Sequence, residues 1–578
     1  MYTKLFSASV HGIDGYVVEV EVDIANGLPH FEIVGLPDSA VREARERVRS
    51  AIRNSQFAFP LQRITVNLAP ADIKKEGSAF DLAIALGILI ADGQLPSQGD
   101  RGTVWIGEVA LDGTVRSVPG VLSMVMEAKA KGFEQVVVPA ENGDEARLIE
   151  GIRVFPVRHL RDAVRQLFGE NPGEPVSVQG VQAGQVHTGY IQGNQESWMQ
   201  NQIQRVSGQD EEGHGSEAGH GTSEKPNQTL HHQKEPLQKP NEAIPEEMVD
   251  LADIKGQYQA KRALVVAAAG MHNLLMIGPP GSGKTMLARS LPGILPPLSM
   301  EEALEVTKIY SVAGLLKERG RLIRQRPFRA PHHSISPPGL IGGGNIPRPG
   351  EVSLAHRGVL FLDELPEFSR SALEVLRQPL EDGEVTLSRA RMTLSYPAVL
   401  TLVCSLNPCP CGFFGSEDER HACICTPHQI QRYRSRISGP LLDRIDIQIE
   451  VPRVEYRQLA ADEPGERSSD IRERLTHVWQ VQEERFRQEQ NQKGKWPIRF
   501  NAQMSPRLVR KYVVLHPEAR DLLRQAFETF GLSARAHDRI LKVARTIADL
   551  DGSEQVDIPH LAEAIQYRCL DRGTNGQP

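Results

Sequence analysis

The sequence predicts an α/β chain of about three domains, and three observations carry that reading. At 578 residues it is too long for one hydrophobic core. Strand-like and helix-like stretches alternate in two separate parts of it, about 1–169 and 242–454. In the second part, Gly278-Pro-Pro-Gly-Ser-Gly-Lys-Thr285 stands between the apolar run Asn273-Leu-Leu-Met-Ile277 and the helix-suited Met286-Leu-Ala-Arg-Ser-Leu291. That is a complete phosphate-binding loop in a strand-loop-helix setting.

Along the chain, Tyr16 to Asp23 and Arg63 to Leu68 show the β-branched alternation of strands, and Ser39 to Ser50 and Ala79 to Ala91 the apolar spacing of helices. The run Leu82 to Ala91 is the longest apolar one, well short of the ~20 residues of a membrane span, and reads as a buried helix. From 170 to 241 the composition turns to Gln, Gly, His, Ser, Asn and Glu, too polar to offset its ordering entropy, so a disordered linker is expected. After the second α/β part, 455–578 holds a charged helical stretch, Asp470 to Lys495, and a helical end, Ser505 to Arg572.

Formal net charge is -7, so no global basic field advertises nucleic acid, although a ring can keep its basic groups in a central channel. Met-Tyr-Thr-Lys-Leu-Phe lacks the apolar stretch of a signal peptide, so a cytoplasmic protein with no membrane partner is expected. There its 6 cysteines are thiols or metal ligands rather than disulfides.

The loop predicts the chemistry of a nucleoside triphosphate. Gly278, Gly281 and Gly283 let the backbone of the loop, which also holds Pro279, Pro280 and Ser282, curl until its N–H groups point at phosphate oxygens, at the positive end of a helix. Lys284 would reach the β- and γ-phosphates and Thr285 would offer a hydroxyl to Mg2+. Downstream, Gly358-Val-Leu-Phe-Leu-Asp-Glu-Leu365 is an apolar strand ending in two carboxylates. Asp363 would hold Mg2+ and Glu364 would orient and deprotonate the attacking water. Another strand, Val399 to Leu406, ends at Asn407, whose amide suits a γ-phosphate or the lytic water.

This pattern resembles the AAA+ ATPases, in the branch shared by magnesium chelatase motor subunits and MCM helicases, and is most similar to the YifB/ComM proteins over almost everything outside the linker. Asp253-Ile-Lys-Gly-Gln257, Arg326 to His333, Pro349 to His356, Asn407-Pro-Cys-Pro-Cys-Gly412 and Ser533-Ala-Arg-Ala-His-Asp-Arg-Ile540 carry the resemblance. It implies ATP as nucleotide, with Ile254 and Gln257 at the adenine, and a homo-hexameric ring whose sites are completed by neighbours. It also implies that Arg444, in Leu441-Leu-Asp-Arg-Ile-Asp446, is an arginine finger and that Arg535 is a lid arginine touching nucleotide in cis or in trans. Arg539, one helical turn on, is an alternative to Arg535.

Ile73 to Leu86 and Gly107 to Val115 are similar to the Lon-protease domain, which implies a ribosomal S5-like α+β fold for 1–169. The resemblance places Gly77, not Ser78, at the nucleophile position, and Pro119 to Met124 offers no lysine, so no protease dyad is expected. Chelatase motor subunits generally lack such a domain, which favours a DNA motor over a metal-insertion motor. Glu384 to Ser395 resembles the pre-sensor hairpin of MCM helicases, with Arg389 and Arg391 near a turn facing DNA; pairing of both with Glu381, Asp382 or Glu384 is the alternative. The resemblance thus implies DNA remodelling, on single-stranded or branched DNA and beside recombination proteins, with a chelatase-like motor acting on a protein as the second reading. Cys409, Cys411, Cys423 and Cys425 leave two readings open, a tetrahedral Zn2+ site and buried or free thiols, because one intervening residue strains chelation by a cysteine pair.

Overall fold

The N-terminal sequence folds around its β-branched stretches. In a computed structural model of the chain, which describes residues 1–96, 102–168, 249–316, 320–344, 347–389, 392–415, 422–454, 456–459, 465–489 and 497–568, Tyr16 to Asp23 lie inside the strand Asp14–Ala25. The expected linker, 170–241, lies outside the described residues. Strand Asp14–Ala25 pairs antiparallel with Tyr2–His11 on one side and Arg63–Ala69 on the other. The mixed seven-stranded sheet continues through His30–Val34 at one edge and through Thr103–Trp105, Gln135–Pro139 and Arg153–Val157 at the other.

Alternation decides which face is covered. Val18, Val20, Val22 and Ile24 are buried, two residues apart, and pack with helix Asp81–Ala91, every residue of which is buried. Gly87 is what lets that helix approach, since a Cβ there would lie 2.7 Å from Val22 Cγ2. Asp81 at the helix start is 1% exposed and is held by Arg47 through Nε at 2.8 Å and Nη2 at 3.1 Å. Burial nevertheless pushes its carboxyl up, to about 6.

The second α/β part is a five-stranded parallel sheet in the order Phe328–Arg329, Val359–Leu362, Thr401–Leu406, Leu274–Ile277, Ile447–Glu450. Its central strands read as continuous apolar runs rather than alternating ones because both faces are covered, and Leu274, Leu275, Leu360 and Leu402 are fully buried. Each such side chain contributes about 1.5–3 kcal/mol of burial. One apolar core lies under Leu275, Leu360, Leu402 and Tyr396, the other under Leu274, Phe361, Val403 and Ile447.

The helical end, expected as a C-terminal helical lid, shares that second core. Helix Ser468–Phe486 docks on helix Tyr258–Gly270, where Trp479 Nε1 and Gln482 Nε2 donate to the carbonyls of Ala268 (3.1 Å) and Ala269 (3.0 Å) at its C-terminus. Helices Pro517–Phe530, Ala534–Leu550 and Ile558–Gln566 complete the same core, and Arg262 bridges to Glu563 at 2.9 Å. The two α/β parts touch directly: Gly120 N–H donates to Ser311 O (3.1 Å) and the Ser311 hydroxyl donates to buried Glu145.

Candidate nucleotide site

The phosphate loop is shaped by what its glycines exclude. A Cβ on Gly278 would lie 2.2 Å from Val451 O, so the chain leaves strand Leu274–Ile277 only with glycine there. Gly281 and Gly283 hold φ of +77° and +88°, the left-handed conformation that L side chains resist. Lys284 opens helix Lys284–Ile294, and its ammonium curls back over the loop to Gly278 O and Pro279 O, both at 2.9 Å. Burial lowers its pKa, opposed by Asp363 and Glu364.

Three adjacent parallel strands end together beside this loop, which is where open α/β sheets place their ligands. Strand Val359–Leu362 delivers Asp363, whose Oδ2 accepts from the Thr285 hydroxyl at 2.9 Å and whose Oδ1 accepts from the Ser405 hydroxyl. A hydroxyl and a carboxylate at one point form the hard oxygen set that Mg2+ takes, with waters and phosphates filling the rest. Strand Thr401–Leu406 delivers Asn407, with Oδ1 3.4 Å from Lys284 Nζ. Glu364 turns out of the strand at φ +52°, its side chain 54% exposed and 4.0 Å from His333, and so faces water.

Gln257, buried at φ +56°, donates from Nε2 to Ser282 O (3.1 Å) and Pro452 O (2.6 Å), locking the loop to the chain beyond strand Ile447–Glu450. Ile254 is buried at the wall of a cleft that Lys255, Tyr258 and Lys261 also line.

Arg444 and Arg535 lie elsewhere. Strand Ile447–Glu450 runs parallel to Leu274–Ile277, in register Leu274 with Ile447, so Arg444 precedes the end of the sheet opposite to the phosphate loop. Four residues at about 3.3 Å each put roughly 13 Å of strand between the two ends. Arg444 is 10% exposed at its side chain, donating to Pro440 O at 2.6 Å and meeting Glu381 at 2.5 Å. Arg535, 70% exposed, pairs with Asp443 at 2.9 Å. Arg535 thus lies with Arg444, away from the phosphate loop. Arg539, the alternative, is engaged by buried Asp446.

The hairpin forms as strands Glu384–Arg389 and Met392–Pro397, with Arg389 opposite Met392. Arg391 and the Arg389 side chain lie outside the described residues; Glu381, one of the three acids named as alternative partners, meets Arg444. In the N-terminal part Gly77 has φ +86°, and the Ser78 hydroxyl donates to the Glu108 carboxylate. The nearby Lys75 is buried and donates to Ile73 O at 2.8 Å. The sulfurs of Cys409, Cys411, Cys423 and Cys425 all lie within 4.8 Å of one another.

Ser405 and His333 belong to the site and were not foreseen from sequence. The signal for Ser405 was there, a hydroxyl near the end of a mostly apolar strand, two residues before Asn407.

Sheet order, phosphate loop and paired strand-end carboxylates define a P-loop protein of the AAA+ type. Comparison narrows this. The family described as magnesium chelatase, subunit ChlI, matches residues 250–459, the ChlI C-terminal family matches 465–568, and one described as subunit ChlI of Mg-chelatase matches 20–142. Competence protein ComM of Haemophilus influenzae is 40% identical over 98% of this chain and 97% of its own length. A YifB protein of Salmonella typhimurium is 40% identical over 97% and 96%. The chain belongs to the YifB/ComM family of magnesium-chelatase-like AAA+ proteins. Lon protease 2 of Bacillus subtilis is 24% identical over only 28% of the chain, a partial likeness. Because the match at 20–142 carries a chelatase description, the N-terminal domain gives no argument against a chelatase-like motor, contrary to expectation.

Proposed function

We propose that this chain hydrolyses ATP as one subunit of a homo-hexameric ring and spends the energy on remodelling DNA, by unwinding or branch migration, in recombination or in the integration of transforming DNA. The observation that carries the reading is the division of phosphoryl-transfer groups between the two ends of one sheet. Lys284, Thr285, Asp363 and Asn407 converge at one end; Arg444 and Arg535 lie at the other, a position that suits contact with an adjacent subunit's nucleotide.

In this mechanism the loop N–H groups and Lys284 bind the β- and γ-phosphates, and Ile254 and Gln257 border the adenine. Thr285 and Asp363 would hold Mg2+, which when bound would supply charge neutralisation. Glu364 takes the proton of the attacking water while Asn407 orients that water or the γ-phosphate. Arg444 of the neighbour places its charge where the transition state develops it, which couples turnover to assembly. Ser405 and Gln257 hold Asp363 and the loop in place, so little reorganisation accompanies reaction.

DNA as the substrate is supported by the competence protein among the relatives and by the hairpin carrying Arg389 and Arg391. A protein partner, in the manner of a chelatase motor, is the second reading, and the three chelatase-family matches favour it. The Lon-like domain we read as a scaffold without peptidase activity, since the partner of the Ser78 hydroxyl is a carboxylate rather than an amine. No described helix is long and apolar enough to cross a membrane, and the proposed place of work is the cytoplasm. ATP turnover measured with and without single-stranded, duplex and branched DNA decides between the readings. Several-fold stimulation by single-stranded or branched DNA supports the DNA motor; identical rates under all conditions move the assignment to a protein partner.

A further inference from the structure

The chain that leaves Asn407 is folded into a knot of four sulfurs. Cys409 lies 3.3 Å from Cys411 and 3.7 Å from Cys423, and Cys411 lies 3.6 Å from Cys423, with Cys425 inside the same 4.8 Å cluster. A disulfide would need about 2.05 Å, so these sulfurs are not bonded to one another. Four thiolates around Zn2+ at about 2.3 Å stand about 3.8 Å apart at the corners of a tetrahedron, and the three spacings above lie just under that figure. The single residue between each pair does not prevent convergence, because the Cys409 and Cys411 sulfurs both already lie near that of Cys423. Backbone also points at the sulfurs, Phe414 N–H donating to Cys409 Sγ at 3.3 Å, as hydrogen-bonded metal thiolates require. Hydrophobic packing does not explain the cluster, since only Cys409 of the four is fully buried while Ile424, between two of them, is 86% exposed.

We propose that Cys409, Cys411, Cys423 and Cys425 hold one Zn2+ in a closed, structural site, and that this site positions Asn407 and the phosphate loop. The second half follows from what the knot touches. Gly412, at φ +88°, packs so tightly on the loop that a Cβ would lie 2.5 Å from Pro280 Cδ. Helix Pro427–Arg434 begins two residues after Cys425, and its Arg434 returns to donate from Nε to Pro408 O at 3.3 Å and to lie over Phe414 at 5.5 Å. One ion would therefore fix the residue after Asn407, the outer wall of the phosphate loop and the start of the segment that leads to Arg444. This positioning role rests on the ATP reading above; the metal site does not.

The test uses the full chain purified without chelator. Elemental analysis is expected to give about one zinc per chain, and exchange with Co2+ to give the intense visible bands of a tetrahedral cobalt tetrathiolate. Absence of both zinc and these cobalt bands overturns the site. In Cys423→Ser/Cys425→Ser, zinc is expected to be lost and ATP turnover to fall about tenfold with nucleotide binding retained. If that variant does not fold, zinc is released from the wild type with a mercurial and recaptured by a colorimetric chelator, and turnover is followed in parallel. Turnover that stays constant while zinc leaves overturns the positioning role. Zinc bound at one per chain in a protein that never hydrolyses ATP would instead sink the ATPase reading and leave the metal site standing.

Discussion

Asp363 carries the most demanding position in the site, because both its oxygens are already spoken for by hydroxyls, Thr285 on one side and Ser405 on the other. Neither is a charge, so the carboxylate keeps its full negative potential for a cation. In the proposed mechanism Lys284 and Glu364 act at different steps and should fail differently. Lys284→Ala is expected to lower ATP turnover more than about 100-fold, as loss of a charged transition-state contact does. Glu364→Gln should still bind ATP but not cleave it, giving a subunit loaded with triphosphate. Retained turnover in either purified variant, read by phosphate release, would refute the assignment. These residues were legible in the sequence because each sits in a short contiguous pattern whose backbone geometry dictates its composition. Ser405 was not, since its role appears only when strand Thr401–Leu406 is laid beside Val359–Leu362.

Between elements, the connection least visible in the sequence is a buried histidine. His356 accepts from Val399 N–H at Nδ1 (3.1 Å) and meets Glu305 of helix Met300–Ala313 through Nε2 (3.2 Å), so the ring is neutral with its proton on Nε2. It joins that helix to the turn before strand Val359–Leu362 and to the start of Thr401–Leu406. Burial lowers its pKa from 6.5 to about 4, since a second proton would break the bond to Val399. The unfolded chain therefore binds more protons between those values, and stability is fully present above about 6.5 and lost as pH falls toward 4. The expected slope is at most about 1.4 kcal/mol per pH unit. Melting at pH 7 and pH 5 checks it, with His356→Gln expected to flatten the difference; an unchanged slope in that variant would contradict the argument. The sequence placed His356 in a family motif, but the partners Glu305 and Val399 are brought to it only by tertiary packing. The hairpin is the other element-scale claim. Replacing Arg389 and Arg391 with Ala should weaken DNA binding and its salt dependence while sparing basal turnover, because lost phosphate contacts remove counterion release. Normal unwinding of branched DNA by the double variant would favour the protein-partner reading.

Across the molecule, the α/β character and the succession of parts could be read from alternation and spacing, whereas the packing of the helical end could not. Ala536, Ile540, Val543 and Ile547 of its helices share one core with Leu264 and Ile447, so the first turn carrying Arg535 is anchored at the far end of the sheet. In the proposed ring, that anchoring would leave a single subunit incomplete. The most direct measurement mixes two inactive subunits, Lys284→Ala and Arg444→Ala, and follows ATP turnover of the mixture. Random assortment gives roughly a quarter of interfaces an intact loop from one subunit and an intact Arg444 from the other. Partial recovery of turnover, absent from either variant alone, is the predicted result; mixed rings that stay as inactive as their parents would contradict a site completed by its neighbour.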